Sequence, residues 1–446
     1  MKNINKLSIT FFVSSIFIFI YVFFRAEIIY EGNNSEYYFL YYLFSLFLIL
    51  LSIVSFFLKK EIINKFFTIL CSVLFSFYLI EAYLAIPDKS KEELYKKNSG
   101  KNYDLRSEIE IYKDMKKINP DISTTVYPGA FLNKVNTSIF PFSGISNRET
   151  IQCNENGYYS IYLSDRYGFN NPDKEWNYSE IDYLIIGDSF ASGECVNEPF
   201  TISGNFRSFV DNNYGVLNLG QGGNGPLVEY AALKEYMPNQ KVNRILWLYY
   251  EGNDLLDLKK ELKDEFLLKY LKDKKFSQNL KFNQKKIDKL YSKTIFRLEK
   301  LEEQKINEKK YEEISRFIKL FRLRYFSKNF ISPNTILDPP ISEFKKVLQL
   351  AKELSIEKNA VLYFVYLPSK ERYLKNKKDK YLYHDEIINV IQELNIPIIN
   401  MDKNFLQKIE DPLDVMPFRQ VGHFNKSGYK KVSKKIFDEI KNFEKN

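Results

Sequence analysis

Four short stretches hold side chains that could together do acyl chemistry. Gly187-Asp188-Ser189 ends the apolar run Tyr183–Ile186, so a serine hydroxyl stands where a strand turns into the next element. Asn218-Leu219-Gly220-Gln221-Gly222-Gly223 follows the apolar Val216–Leu219, and its glycines let backbone amides approach a ligand closely. Glu251-Gly252-Asn253-Asp254 ends a third apolar run and offers a carboxamide, a donor that adds no charge. His423 sits in Phe418–Tyr429, just ahead of the last helical stretch. Its imidazole, with an ordinary pKa near 6.5, can take a proton from a serine near neutrality. A hydroxyl nucleophile, a base, and uncharged donors aimed at a developing oxyanion are what acyl transfer requires. The chain has two histidines; the other, His384, opens a helical stretch and reads as a polar surface residue. Gly220, Gly222 and Gly225 also satisfy a dinucleotide-type spacing. That motif needs an acidic residue about 20 positions on, and Glu251 comes late.

These residues need a parallel sheet to meet. Strand-like runs over 183–187, 216–219, 244–250, 360–367 and 397–401 alternate with helical stretches over 201–212, 227–236 and 385–394, and a last helix runs over 426–443. Alternation of this kind predicts an α/β domain with ligands at the carboxyl edge of its strands. Between Asp257 and Pro333 the pattern breaks into a Lys-, Glu-, Leu- and Phe-rich stretch with helical spacing at Ile314, Phe317, Ile318, Phe321 and Tyr325. It is too long for a plain loop and predicts a helical insertion: a cover for the sheet, a lid or a docking surface.

The front of the chain is different. Leu7–Phe24, Tyr38–Leu58 and Phe66–Ile86 are nearly free of charge, and each approaches the ~20 residues that cross a bilayer. The first lacks a small-residue cleavage site and reads as a retained helix. Lys2 and Lys6 precede it, and Lys59, Lys60 and Lys65 separate the second and third, whereas the first connection has only Arg25 beside acidic residues. This bias predicts a cytoplasmic N-terminus, with everything after Pro87 outside. Glu81 should sit at the interface. The expected domains are a membrane region over 1–88, a turn-rich extracytoplasmic lead-in over 89–180, and an α/β domain over 181–446 with its insertion at about 257–333.

Composition narrows the partners. Of 446 residues 45% are hydrophobic and the net charge is +9, but the lysines are dispersed, and no nucleic-acid module is present. No Walker-type loop or metal-ligand cluster appears, so neither a metal nor a cofactor is expected. Cys71 lies in an apolar run; Cys153 and Cys195 fall in the part placed outside, where disulfides persist, and are expected to pair.

Taken in order, the four blocks resemble those of the SGNH (GDSL-type) hydrolases. Gly187-Asp188-Ser189 matches the first block with Phe190 in place of Leu, Asn218-x-Gly220-x-x-Gly223 the second, Glu251-Gly252-Asn253-Asp254 the third with Glu251 in place of Gly, and His423 with its following helix the last. The resemblance implies a three-layer flavodoxin-like parallel sheet. It also implies Ser189 as nucleophile, His423 as base, and an oxyanion hole from the Ser189 and Gly223 amides with the Asn253 side chain. The family places an Asp three residues before the histidine; here that residue is Gln420. Gln420 itself, Asp411 or Asp414 is left to orient the ring, and loss of activity is an open outcome. The membrane helices and insertion are similar to anchored variants associated with surface polysaccharides.

The expected function is a membrane-anchored serine esterase or O-acyltransferase in the bacterial cytoplasmic membrane, its C-terminal domain periplasmic or extracellular, acting on O-acyl, chiefly O-acetyl, groups of a cell-surface glycan. A transferase would need a donor from a partner protein. The alternatives are a non-catalytic glycan-binding or polysaccharide-assembly component that meets a partner through 257–333, and a lipid-active esterase.

Overall fold

The computed structural model describes residues 5–30, 32, 35–86, 90–134, 138–331, 338–374, 383–420 and 422–445. Pro87 and Pro333, which bound two of the expected segments, lie outside them.

Two compact units divide the chain, one formed by Met1–Pro87 with Lys310–Ile331, the other by Asp88–Lys309 with Ser332–Asn446. In the first, α1 (Lys6–Phe23) runs into a π-helical turn (Phe24–Ile29) and is followed by α2 (Ser35–Ser55) and α3 (Lys60–Leu84). Three helices here are long and apolar enough to cross a membrane: Lys6–Ile29, Tyr37–Ser55 and Lys60–Leu84. Their outward surfaces are Phe-, Leu- and Ile-rich, as a lipid-facing surface must be.

The second unit begins with α4 (Ser90–Ser99) and α5 (Glu108–Lys116), the latter started by a Ser107/Glu110 capping box. A small sheet follows: β1 (Ser123–Thr124), β2 (Glu149–Ile151) and β3 (Ile161–Leu163). The turn-rich lead-in is therefore ordered.

The main sheet contains β4 (Glu180–Gly187), β5 (Gly215–Asn218), β6 (Lys241–Tyr250), β7 (Val361–Leu367) and β8 (Ile398–Asn400), all parallel, in the spatial order β5-β4-β6-β7-β8. This is the flavodoxin-like 2-1-3-4-5 order, and its switch point lies at the carboxyl end of β4, between β4 and β6. Between the strands run α6 (Ser189–Ser192), α7 (Ile202–Phe209), α8 (Pro226–Tyr236), α9 (Asp254–Glu261), α10 (Leu268–Lys272), α11 (Gln284–Ile318), α12 (Phe321–Ile331), α13 (Ile341–Glu357) and α14 (His384–Glu393); after β8 come α15 (Met401–Asn404) and α16 (Lys426–Phe443). The expected helical insertion is thus α9 to α12.

Strand side chains alternate between faces. Tyr183 and Ile185 of β4 pack with Ile202 and Phe206 of α7 and with Val432 and Ile436 of α16. Leu184 and Ile186 face the other layer, with Leu227 and Ala231 of α8 and with Val347 and Ala351 of α13. Burial on both faces explains why these strands read as unbroken apolar runs. One expectation needs correction. His384 is buried, 4% exposed, rather than at the surface; its Nε2 meets the Asn400 carboxamide at 3.2 Å and its ring stands edge-on to Tyr366. Beginning a helix that packs on the sheet places it inside.

Candidate active site

Ser189 opens α6 directly after β4, at the switch point. Gly187 makes the turn at φ +147°, where an added Cβ would come within 2.6 Å of the Leu248 carbonyl oxygen. Asp188 caps the short helix: Oδ1 accepts the Phe190 N–H at 2.9 Å and Oδ2 accepts the Ser189 hydroxyl at 3.3 Å. Burial, only partly offset by the Phe190 N–H, pushes the Asp188 carboxyl up to about 6.

The glycine loop after β5 lies against this turn. Gln221 N–H donates to the Gly187 carbonyl at 3.3 Å, and a Cβ on Gly220 would sit 2.5 Å from the Ala191 Cβ. Gly223 is exposed, at φ +70°. Among the described residues neither the Ser189 nor the Gly223 N–H is donated to a protein acceptor. Both amides are thus available to an oxyanion. Beside Gly223 opens a cavity of about 430 Å³, walled by Val126, Leu132, Phe140 and Val228 with Tyr127 and Asn224.

Asn253 lies just beyond β6, immediately before α9, and its Nδ2 donates to Asp257 at 2.7 Å. Glu251, the departure from the family's third block, forms a buried ion pair with Arg372 and accepts the Ser369 N–H at 2.8 Å. That places its charge in a structural contact beneath the sheet edge.

His423 packs its ring on Phe190, centroids 5.1 Å apart, next to the serine in the chain. No hydrogen bond joins the two side chains of Ser189 and His423. The imidazole instead lies between two acids that spacing did not reveal. Glu155 Oε2 is 3.3 Å from Nδ1 and accepts the His423 backbone N–H at 2.7 Å; Glu194 Oε2 is 3.7 Å from Nε2. Burial alone would lower the His423 pKa, but Glu155, Glu194 and Asp188 together raise it to about 9. Burial opposes ionisation of Glu155 too, yet the contact with His423 brings it below its ordinary value. Glu194 is pushed up to about 7 by burial, against the pull of His423 and a hydrogen bond with Tyr127.

The three residues considered as orienters of His423 are engaged elsewhere. Gln420 donates to the Ser90 hydroxyl at 2.9 Å. Asp414 pairs with Arg419 at 2.7 Å, and Asp411 pairs with the same guanidinium. The backbone twists between Asp414 and Gln420: Phe418 and Arg419 both have positive φ, at 52° and 60°. Two residues short of Glu155, Cys153 is bridged to Cys195, which follows Glu194. The disulfide therefore ties both acids to one place. The Cys195 sulfur, Glu155 and His423 converge as metal ligands do, but a sulfur held in a disulfide presents no thiolate.

No family model and no curated protein sequence matches the chain. Solved structures similar to it include a protein described as lipolytic, of the G-D-S-L family, from Desulfitobacterium hafniense DCB-2 (12% identity, TM-score 0.32, 58% of this chain and 97% of that one). An acetyl xylan esterase, AlAXEase, is similar at 10% identity and TM-score 0.31, over 58% of this chain and 100% of that one. The psychrotrophic esterase EstA from Pseudoalteromonas sp. follows at 11% identity and TM-score 0.29, over 59% and 99%. These values are too low to bear on activity. What strand order and layering show is a three-layer α/β domain whose parallel sheet has the flavodoxin-like order, with a helical insertion between β6 and β7; three long apolar helices precede it in the chain.

Proposed function

We propose that this chain is a membrane-anchored, extracytoplasmic serine esterase or O-acyltransferase acting on O-acyl groups, chiefly O-acetyl, of a cell-surface glycan. The observation that supports the reading is Ser189 at the switch point with two undonated amides, and the His423 ring packed on Phe190, the next residue in the chain. Substrate entering beside Gly223 places its carbonyl carbon at the Ser189 Oγ. The hydroxyl leaves Asp188 and Nε2 turns from Glu194 to meet it; Oγ bonds to the carbonyl carbon as its proton passes to neutral His423 Nε2, and the carbonyl oxygen, now an oxyanion, accepts the Ser189 and Gly223 N–H groups. Collapse breaks the bond to the sugar oxygen, which takes the proton from His423 and leaves as a hydroxyl, with the acyl group on Ser189. Water then releases the acid, or a second sugar hydroxyl takes the acyl group. In this scheme Glu155 orients the ring through Nδ1 and is a positioning residue, the part the family gives to an Asp. The bias of lysines across the three apolar helices supports an outward-facing second unit.

A second reading, a non-catalytic glycan-binding or assembly component, is favoured by one observation. A His423 raised to about 9 is protonated at neutral pH and cannot accept a proton there.

Labelling with a fluorophosphonate at pH 7 and pH 9.5, parent beside Ser189→Ala, separates the two. Labelling of the parent alone, stronger at the higher pH, fits the esterase. A parent left unlabelled at both values, with p-nitrophenyl acetate uncleaved, leaves the binding component.

A further inference from the structure

Glu81 is fully enclosed near the end of α3, in a helix otherwise apolar enough to span a bilayer. A carboxylate at such a place is costly unless its oxygens are satisfied. They are satisfied by α12: Oε1 accepts the Arg322 N–H at 3.0 Å and Oε2 the Leu323 N–H at 2.7 Å, with the Arg322 guanidinium 3.5 Å away. These N–H groups belong to the first turn of α12, where a helix has no carbonyls of its own to offer them, and the helix dipole favours a negative charge there. Glu81 therefore caps a helix that lies some 240 residues further along the chain. Tyr78, a turn earlier in α3, donates its hydroxyl to the Ile318 carbonyl at 2.9 Å and packs its ring 5.5 Å from Phe317. Arg324 reaches the Tyr41 hydroxyl of α2 at 3.3 Å.

The same segment exposes apolar surface. Ile314, Ile318, Phe321 and Tyr325 are 54%, 60%, 42% and 63% exposed, and the Phe321 and Tyr325 rings stack at 6.4 Å. Arg316, Arg322 and Arg324 flank them. Aromatic rings with a polar edge, aliphatic side chains and long basic side chains suit the layer where head groups meet acyl chains. We propose that α12 and the last turn of α11 lie in the interfacial layer of the phospholipid bilayer on its outer face, held against the third span by Glu81. The insertion is then a second, peripheral membrane attachment. This rests on the reading of α1 to α3 as membrane spans.

The test is nitroxide depth measurement on the full chain in phosphatidylcholine bilayers, comparing collisions with oxygen, which enters lipid, and with a nickel chelate, which stays in water. A label on the free, exposed Cys71 of α3 gives the lipid reference, and Phe282→Cys, at a residue 88% exposed in the second unit, gives the aqueous one. Phe282→Cys and Tyr325→Cys are made in a Cys71→Ala background. Tyr325→Cys is expected between the two references, several-fold above Phe282→Cys in its oxygen-to-nickel ratio. Adding Glu81→Ala should return it to the aqueous value, with Glu81→Gln in between. Where Glu81→Ala does not accumulate, Leu323→Pro removes one of the two capped donors within the first turn, whose N–H groups have no acceptor in the helix, and should have the same effect. A Tyr325→Cys label at the aqueous value while Cys71 reads deep would overturn the proposal, and a label unmoved by both Glu81→Ala and Leu323→Pro would remove Glu81 from it. An aqueous Cys71 would instead bring down the membrane reading itself, and the proposal with it.

Discussion

Glu155 Oε2 accepts the backbone N–H of His423 at 2.7 Å and stands 3.3 Å from that residue's Nδ1, across 268 positions of sequence. One carboxylate thus fixes both the main chain and the ring of the imidazole. It comes from the lead-in segment rather than from the motif that holds the histidine.

Replacing Glu155 should therefore be felt in kcat more than in KM. Glu155→Gln is expected to lower kcat by on the order of 10² or more, since the ring loses both its fixed tautomer and the partner of its cation. Glu155→Asp should recover part of the loss. An unchanged kcat on p-nitrophenyl acetate for Glu155→Gln would mean the ring is oriented by another group.

The pH profile carries a sign. The base must be neutral, and its pKa is raised to about 9, so kcat/KM should rise with pH through about 9 rather than level off near 6.5. Glu155→Gln removes a negative charge that favours the cation, and its profile should move toward acid even as its ceiling falls. Rate measurements between pH 6 and 10 on both proteins check this. Stability follows the same linkage: a base whose folded pKa is raised contributes stability present in full below about 6.5 and lost as pH rises through about 9. The urea midpoint of the parent should fall over that window more than that of His423→Gln.

Reduction of the Cys153–Cys195 bridge should cost stability and activity together. It spans 42 residues, and closing such a loop in the unfolded chain is worth about 4 kcal/mol in the entropic account. Cys153→Ser is expected to lower the urea midpoint accordingly. It should also lower kcat at a temperature where the variant is still folded, because Glu155 loses its tether. Activity that survives in a folded Cys153→Ser protein would show that the hydrogen bonds of Glu155 are enough without the bridge.

Gln420→Asp and Asp414→Asn should each change kcat by less than about twofold. The Gln420 side chain reaches Ser90, and Asp414 is an exposed partner of Arg419, a class of ion pair worth about 0–1 kcal/mol. A large gain from Gln420→Asp would show that the loop turns to bring this position onto the ring.

Gly220→Ala should abolish most activity. Its added Cβ would lie 2.5 Å from the Ala191 Cβ and 2.6 Å from the Ser192 backbone N, so the serine helix or the glycine loop must move. Overpacking of this kind costs about 1–3 kcal/mol, and loss of fluorophosphonate labelling in a folded protein is the measurement.

Much of this was legible without coordinates because burial on both faces leaves a simple trace. Tyr183–Ile186 and Ile245–Tyr250 read as strands since no polar residue interrupts them, and the last helix shows its amphipathic period from Lys426 to Phe443. The cysteine pair followed from compartment chemistry. His384 misled because a lone histidine at a helix start looks solvated; only the packing of α14 on the sheet buries it. Glu155 left no trace, being one of 56 acidic residues with no motif around it. The cysteine two positions before it was the sole pointer, and that pointer needs the bridge to be known first.

By itself the order of residues determined which local elements form, where apolar helices run long enough for a bilayer, and that serine, glycine and asparagine follow strands while His423 precedes the last helix. Those properties depend on side chains a few positions apart. The tertiary structure alone decided which acids flank the imidazole, that Gln420 and Asp414 point elsewhere, and that Glu81 caps α12. Each of these is a contact between distant segments, and its energy depends on where the chain returns in space, which no local pattern encodes.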